Sequence, residues 1–267
     1  MAVSAMQMQM QSGEGSVFYP ALAYVMSCTG SALSLSAMSR SRATAGNERI
    51  RWLVLSAVAL GGTGIWVMHF IAMLGFTVSG RQITYAVPAT IASLVLAIVV
   101  VGAGLAIAVY GRATPRALVA GGVITGFGVA GMHYLGMSAV RMAVHVSYNP
   151  LLVLLSILIA VVAATVALWA AMNIRGVFAS LGASLVMGIA VSGMHYTGMA
   201  AMEMSPGAAP SSGGLTASQL LMPLVAGIGL STVVMLFIVG FAQTEEELLE
   251  QEDIQESLRK LARRQDR

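Results

Sequence analysis

Three histidines stand in closely similar surroundings within otherwise apolar sequence. The strings are GVAGMHYLGMSAV at 128–140, AVSGMHYTGMAAM at 190–202 and, less closely, IWVMHFIAMLGF at 65–76. Each histidine has a methionine directly before it and another four residues after it. One ionisable side chain in an apolar segment could be a hydrogen-bonding link between helices. Three in the same setting indicate a common chemical role, as expected of ionisable groups inside a membrane.

Imidazole nitrogen and thioether sulfur together are a donor set suited to copper. Thioether sulfur selects Cu(I), whereas imidazole binds copper in either oxidation state. Zinc would more usually bring cysteine or carboxylate, and the spans contain no suitable carboxylate. Haem is the alternative cofactor because histidine and methionine are a known axial pair. Two motifs would suffice for a haem, so the third would then need another role.

The two methionines of a motif cannot both face its histidine on a straight helix. Residues four apart share a face, whereas adjacent residues are about 100° apart around the axis. If both bind, the helix must end or distort at the motif. Glycines permit that distortion in the second and third motifs: Gly131, Gly136, Gly193 and Gly198. The first motif has the larger residues Val67 and Ala72 at the corresponding positions and is expected to be stiffer.

The composition predicts an integral membrane protein. Of the 267 residues, 57% are hydrophobic and 9% are charged, with a mean hydropathy of +0.83. A soluble domain carries about 25% charged residues. The net charge of +3 is explained by loop arginines and indicates no nucleic-acid partner.

The elements that must position the motifs are seven apolar stretches, each long enough to span a bilayer. They lie at 17–38, 52–76, 86–110, 117–138, 151–173, 177–200 and 219–242. His69 and His133 are 64 residues apart, and His133 and His195 are 62 apart. This period predicts an all-α transmembrane bundle of three helix hairpins plus a seventh helix. Each motif falls at the same end of an even-numbered span, so the three histidines should lie at similar depth.

Arginine distribution predicts the orientation of the bundle. Seven arginines lie in the connections on one side, and only Arg81 and Arg141 lie on the other. Because positive residues favour the cytoplasmic side, the N-terminus is expected outside and the C-terminus in the cytoplasm. The seven are Arg40, Arg42, Arg49, Arg51, Arg112, Arg116 and Arg175.

The two ends of the chain differ from the apolar region at 17–242. Residues 1–16 are polar and rich in Met and Gln, and are expected to be a disordered extracytoplasmic segment. Residues 243–267 have acids first and bases last, which favours a cytoplasmic helix. Ile254, Leu258 and Leu261 have the spacing of about one heptad, a short seam that could join two copies in a homodimer.

Met-His-Tyr at 132–134 and 194–196, with Met-His-Phe at 68–70, resembles the MHYT domain family of bacterial membrane sensors. The resemblance covers 17–242 and implies a seven-span sensor of the bacterial cytoplasmic (inner) membrane that binds copper and senses O2, CO or NO. It also implies a cytoplasmic signalling partner, or a lost output domain, of the kind that makes or degrades cyclic di-GMP. The implied ligands are Met68, His69, Met73, Met132, His133, Met137, Met194, His195 and Met199.

The family resemblance also assigns a role to the aromatic residue of each motif. Tyr134 and Tyr196 would be hydrogen-bond partners of the bound imidazoles. Phe70 departs from the pattern because it cannot donate a hydrogen bond. A mechanism that needs three equivalent tyrosines is therefore not expected.

Two other function classes remain open from the sequence. Copper transport would use the methionines as relay sites, but no ligands cross the midplane or the inner half of the spans. A haem-binding membrane electron carrier is the second alternative. We do not expect an enzyme, because no motif offers a nucleophile with a base or paired acids.

Overall fold

The structure, a computed structural model, describes residues 17–78, 82–142, 144–205 and 213–241. The predictions for 1–16 and 243–267 lie outside these residues. Nine helical segments are described: α1 Phe18–Ala43, α2 Gly46–Ala57, a π-helix Val58–Val67, α3 Met68–Leu74, α4 Val87–Tyr110, α5 Pro115–Ala139, α6 Pro150–Asn173, α7 Val177–Ala200 and α8 Leu221–Phe241. The strands are β1 Thr84–Tyr85, β2 Val140–Arg141, β3 His145–Tyr148, β4 Met202–Ser205 and β5 Leu215–Thr216.

Seven helices in these ranges are long and apolar enough to cross a membrane, as predicted. The second of them, Gly46–Leu74, combines α2, the π-helix and α3 without a break. Large apolar side chains on the outside of the bundle, such as Leu154, Leu158 and Val162 of α6, are more than half exposed. A continuous apolar exterior of this kind needs lipid to cover it. The chain is therefore a multi-pass membrane protein.

The connection between the first and second spans is much shorter than we predicted from the charged stretch at 39–51. Only Thr44 and Ala45 separate α1 from α2. The helices extend because two arginines find acceptors near the ends of other helices. Arg40, which is buried, donates to the Val239 carbonyl of α8, and Arg42, which is half-buried, donates to the carbonyls of Ala171 and Ile174 at the end of α6.

The second span lies at the centre of the bundle and is its most buried span. Hydrogen bonds link it to α1, α4 and α8 through the pairs Ser56–Ser34 (2.7 Å), Trp66–Ser93 (3.0 Å) and Thr63–Thr232 (2.7 Å). Its glycines allow backbones to approach: a Cβ on Gly61 would lie 2.8 Å from the Ala97 carbonyl oxygen of α4. The first motif begins directly after the π-helix, whereas α5 and α7 remain regular through theirs. The helical irregularity therefore lies before the first motif, whose own residues Met68–Leu74 are α-helical.

Two small antiparallel sheets cover the end of the bundle that carries the motifs. One has the order β2-β1-β5, and the other pairs β3 with β4 in the register His145–Ser205 to Tyr148–Met202. The all-α expectation missed these strands. They form because the connections after α3, α5 and α7 meet there, and their backbone groups pair with one another. The alternation of exposed and half-buried residues in His145–Tyr148 has the period of two of a strand.

Candidate metal centre

The three motif histidines converge at one point inside the bundle. Nδ1 of His69 lies 3.0 Å from Nδ1 of His195 and 3.2 Å from Nδ1 of His133. The third side of the triangle, between His195 and His133, is 3.3 Å. Each imidazole comes from a different span: α3, α5 and α7. The similar depth that the repeat predicted is confirmed.

The arrangement is close to threefold symmetric and shut off from solvent. The ring centroids are 4.9–5.1 Å apart, and each pair of ring planes is nearly perpendicular, at 84–85°. The exposed fractions of His69, His133 and His195 are 1%, 0% and 1%. All three rings therefore point the same nitrogen at a common centre.

Two of the imidazole rings occupy space left by a glycine in another motif. A Cβ on Gly136 of α5 would lie 2.6 Å from His69 Nε2, and a Cβ on Gly198 of α7 would overlap His133. Each glycine stands three residues after its own histidine. The missing side chain of each glycine therefore leaves space for the imidazole of another span. The helices α5 and α7 are regular at these positions, without the distortion that glycine would permit.

Most nitrogens of this cluster have no hydrogen-bond partner among the described residues except one another. Nε2 of His69 and of His133 is buried without a partner, and Nδ1 of each ring faces only the other Nδ1 atoms. A neutral imidazole carries a proton on one nitrogen and a lone pair on the other. If the protons are on Nε2, three lone pairs converge without a donor, an arrangement that a shared cation would stabilise.

The spacing of the donors fits a small metal ion. Two imidazole nitrogens bound about 2.0–2.1 Å from one tetrahedral ion lie about 3.3–3.4 Å apart. The observed separations are 3.0, 3.2 and 3.3 Å. Three protein donors would leave a fourth position for another ligand. A haem bound through two of these histidines would need their nitrogens on opposite faces of a wide flat ring, whereas the nitrogens lie 3.0–3.3 Å apart.

The six candidate methionines divide into two layers around the histidines. Met68, Met132 and Met194, which precede the histidines, are fully buried in the main apolar core. Met73 and Met137, which follow them, pack in a second cluster with Met202 of β4, and Met199 and Met204 lie at its edge. We call this second set the outer methionine cluster: Met73, Met137, Met199, Met202 and Met204. Met204 was not predicted, because it contacts the site only through the pairing of β4 with β3.

The tyrosines of the motifs do not pair with the imidazoles. The Tyr134 hydroxyl lies 2.7 Å from the Ser156 hydroxyl of α6. Tyr196 is 40% exposed, and no hydrogen bond of its hydroxyl is found among the described residues. Each ring instead stands edge-on to its own histidine, with centroids 4.9 Å apart, and Phe70 does the same at 4.7 Å. The shared property of this position is an aromatic edge, which Phe70 also supplies.

Neutral aromatic side chains cover the cluster at the outer end. Tyr148 of β3 stands edge-on to Tyr134 at 5.6 Å, and Tyr85 of β1 is 2% exposed. Burial raises the pKa of Tyr85 to about 12, and burial and the nearby Tyr134 raise the pKa of Tyr148. Both phenols therefore stay protonated at neutral pH, and Glu203 on β4 is exposed.

A comparison with known protein families identifies the repeat. The profile described as "MHYT: Bacterial signalling protein N terminal repeat" matches residues 62–121, 126–184 and 188–249. The chain belongs to the MHYT family. The three matches begin 64 and 62 residues apart, the same spacings as the histidines. The MHYT repeat thus places one histidine of the cluster near the start of each unit.

Curated relatives of this MHYT chain are larger signalling proteins. It is 38% identical to the bifunctional diguanylate cyclase/cyclic di-GMP phosphodiesterase MucR of Pseudomonas aeruginosa, over 70% of this chain and 28% of MucR. It is 35% identical to the cyclic di-GMP phosphodiesterase NbdA of the same species, over 80% of this chain and 28% of NbdA. The signaling protein YkoW of Bacillus subtilis is 32% identical, over 71% of this chain and 24% of YkoW. The matches thus cover about a quarter of each relative, and no solved structure matches the chain.

Proposed function

We propose that the chain is a membrane sensor that binds one copper ion through His69, His133 and His195. The observation that carries this proposal is the triangle of buried Nδ1 atoms, 3.0–3.3 Å on a side. Copper held there would supply a redox-active centre able to bind a diatomic gas such as O2, CO or NO. Membership of a family of bacterial signalling proteins supports the sensory role.

The donors around the triangle favour copper over zinc. Imidazole suits both metals, but thioether sulfur favours Cu(I). The outer methionine cluster lies beside the histidines, and the described residues contain one group of three His, Cys, Asp or Glu side chains suited to a metal. Met73 and Met137 are its most buried motif members and are the methionines proposed to approach the ion.

The signal would pass from the outer end of the bundle to the cytoplasm. The histidines lie at the end with two arginines, opposite the end where seven arginines lie in or beside the connections, which supports an extracytoplasmic site by the positive-inside rule. The central second span carries His69 at one end and contacts α8, which leads into the proposed cytoplasmic helix at 243–267. MucR and NbdA are cyclic di-GMP enzymes by name, so the proposed partner is an output domain of that class. We assign no catalysis to this chain.

A transport role has less support from the structure. A path for copper through the bundle needs further donor sites in series. Within the four described ranges, the trihistidine cluster is the one group of three or more His, Cys, Asp or Glu side chains spaced to hold a metal.

The copper content of detergent-purified protein tests the proposal. We expect about one copper per chain in the wild type, and loss of that copper when His69, His133 and His195 are all changed to alanine. The matched control is His145→Ala, which removes the fourth histidine of the chain, exposed on β3. Folded wild-type protein that stays free of copper after copper is supplied would contradict the proposal, as would loss of copper in the His145→Ala control.

A further inference from the structure

A cavity between the helices begins one helical turn beneath the trihistidine cluster. Its volume is about 50 Å³, and its lining residues come from α1, the π-helix, α4, α5, α6 and α7. Ile65, Val129 and Val191 line it, and each stands four residues before one of the three histidines. On α5 and α7 this separation is one turn, or about 6 Å along the axis. Met194, which precedes His195, also lines it.

The cavity offers no group that would hold water. Its polar lining consists of two hydroxyls, Ser34 and Thr125. Ser34 is paired with the Ser56 hydroxyl at 2.7 Å, and Thr125 donates to the Val100 carbonyl at 3.3 Å. An internal water typically makes about three hydrogen bonds to otherwise unsatisfied groups, whereas apolar cavities stay dry and take up apolar guests such as xenon.

Small side chains of α6 separate the cavity from the lipid. Ala160, Ala163, Ala164 and Ala167 all line it. Ala163 and Ala167 are half-buried, so they also reach the outside of the bundle, whereas Ala160 and Ala164 are buried. Leu168 and Ala171 complete the α6 wall, so every α6 side chain that lines the cavity is apolar.

We propose that this cavity is a binding site for a small uncharged apolar molecule of the size of O2, CO or NO. It holds the gas within about one helical turn of the imidazoles and supplies it to them from the membrane. This role as a supply site rests on the proposed function, whereas the uptake of an apolar guest does not. The guest is limited to this size by the volume of the cavity and to this chemistry by its dry apolar lining.

Xenon-pressurised crystals test whether the cavity takes up an apolar guest. The wild type should show anomalous xenon density among the lining residues, and Ala164→Leu should lose it by filling the space. Val162→Leu is the matched control on the same helix, since Val162 is 54% exposed on the outside. Ala190→Leu fills the cavity from α7 and should also lose the density if Ala164→Leu does not fold. Absence of xenon from the wild type, or equal xenon in a cavity-filled variant, would overturn the proposal.

Gas binding by copper-loaded protein tests the supply role. Ala164→Leu should slow the binding of CO, measured after flash photolysis, while Val162→Leu should leave the rate unchanged. An unchanged rate in a variant that has lost xenon would overturn the supply role. Failure of the copper proposal would be seen separately, in the metal content of the histidine variants.

Discussion

Gly198 controls the position of a histidine on another helix. Its missing Cβ leaves the space that the His133 imidazole occupies, and Gly136 does the same for His69. Ala72 occupies the same position in the first motif, three residues after His69, so two of the three motifs have glycine there. At the residue scale, the site depends on the absence of side chains as much as on the donors.

Changing Gly198 to alanine should therefore weaken copper binding without unfolding the protein. The added methyl group displaces the His133 ring from the triangle, and losses of 10–100-fold in metal affinity are typical when a supporting contact is removed. A competition titration against a Cu(I) chelator measures the change. Gly193→Ala is the control on the same helix, because nothing lies within 4 Å of its Cβ position. Equal affinity in the two variants would contradict this role for Gly198.

The π-helix sets the direction in which His69 points. The ten residues Val58–Val67 have i→i+5 hydrogen bonding and end one residue before the first motif. A π-helical segment changes the rotation of everything that follows it relative to a regular α-helix. At the element scale, the central span needs this irregularity to bring its histidine to the other two.

Deleting Gly62 should turn His69 out of the triangle. Removal of one residue changes the rotation of the helix that follows, and in an α-helix this change is about 100°. We expect the deletion variant to lose copper, whereas Gly62→Ala should keep it, because the nearest atom to its Cβ position is 3.9 Å away. Metal content and circular dichroism of both variants check this. A folded deletion variant that keeps full copper would show that the π-helix does not direct His69.

The elements that could be predicted from sequence are those with a strong local signal. Five of the seven spans were predicted to within two residues at both ends, because apolar runs end at Pro, Gly or charged residues. The first connection was not, because Arg40 and Arg42 satisfy distant helix ends. The π-helix and the five short strands depend on contacts between segments far apart in the sequence.

The same distinction applies to the site. The convergence of His69, His133 and His195 could be predicted, because the repeat places them at equivalent positions. The glycines that make room for the rings, the packing of Met204 and the pairing of Tyr134 with Ser156 could not, since each depends on a contact between different helices or strands. The motif therefore predicts which histidines converge, but it does not predict the contacts that hold them in position.

The whole molecule has two chemically different ends. The three motifs and the small sheets are at one end, and seven arginines lie in or beside the connections at the other. Cys28 is the one cysteine, so a Cys28→Ser background allows single cysteines to report orientation. In intact spheroplasts, an impermeant thiol reagent should label Ser147→Cys on β3 and should label Asn173→Cys only after permeabilisation. The reverse pattern would place the histidine end in the cytoplasm.

The central claim is that three imidazoles bind one copper ion. X-ray absorption at the copper edge of the loaded protein tests this most directly, because imidazole rings give a distinctive multiple-scattering pattern. We predict three imidazole nitrogens at about 2.0 Å from copper, the distance usual for imidazole on a first-row metal. His145→Ala should leave the spectrum unchanged. A copper environment without imidazole nitrogen, or with sulfur ligands alone, would contradict the account.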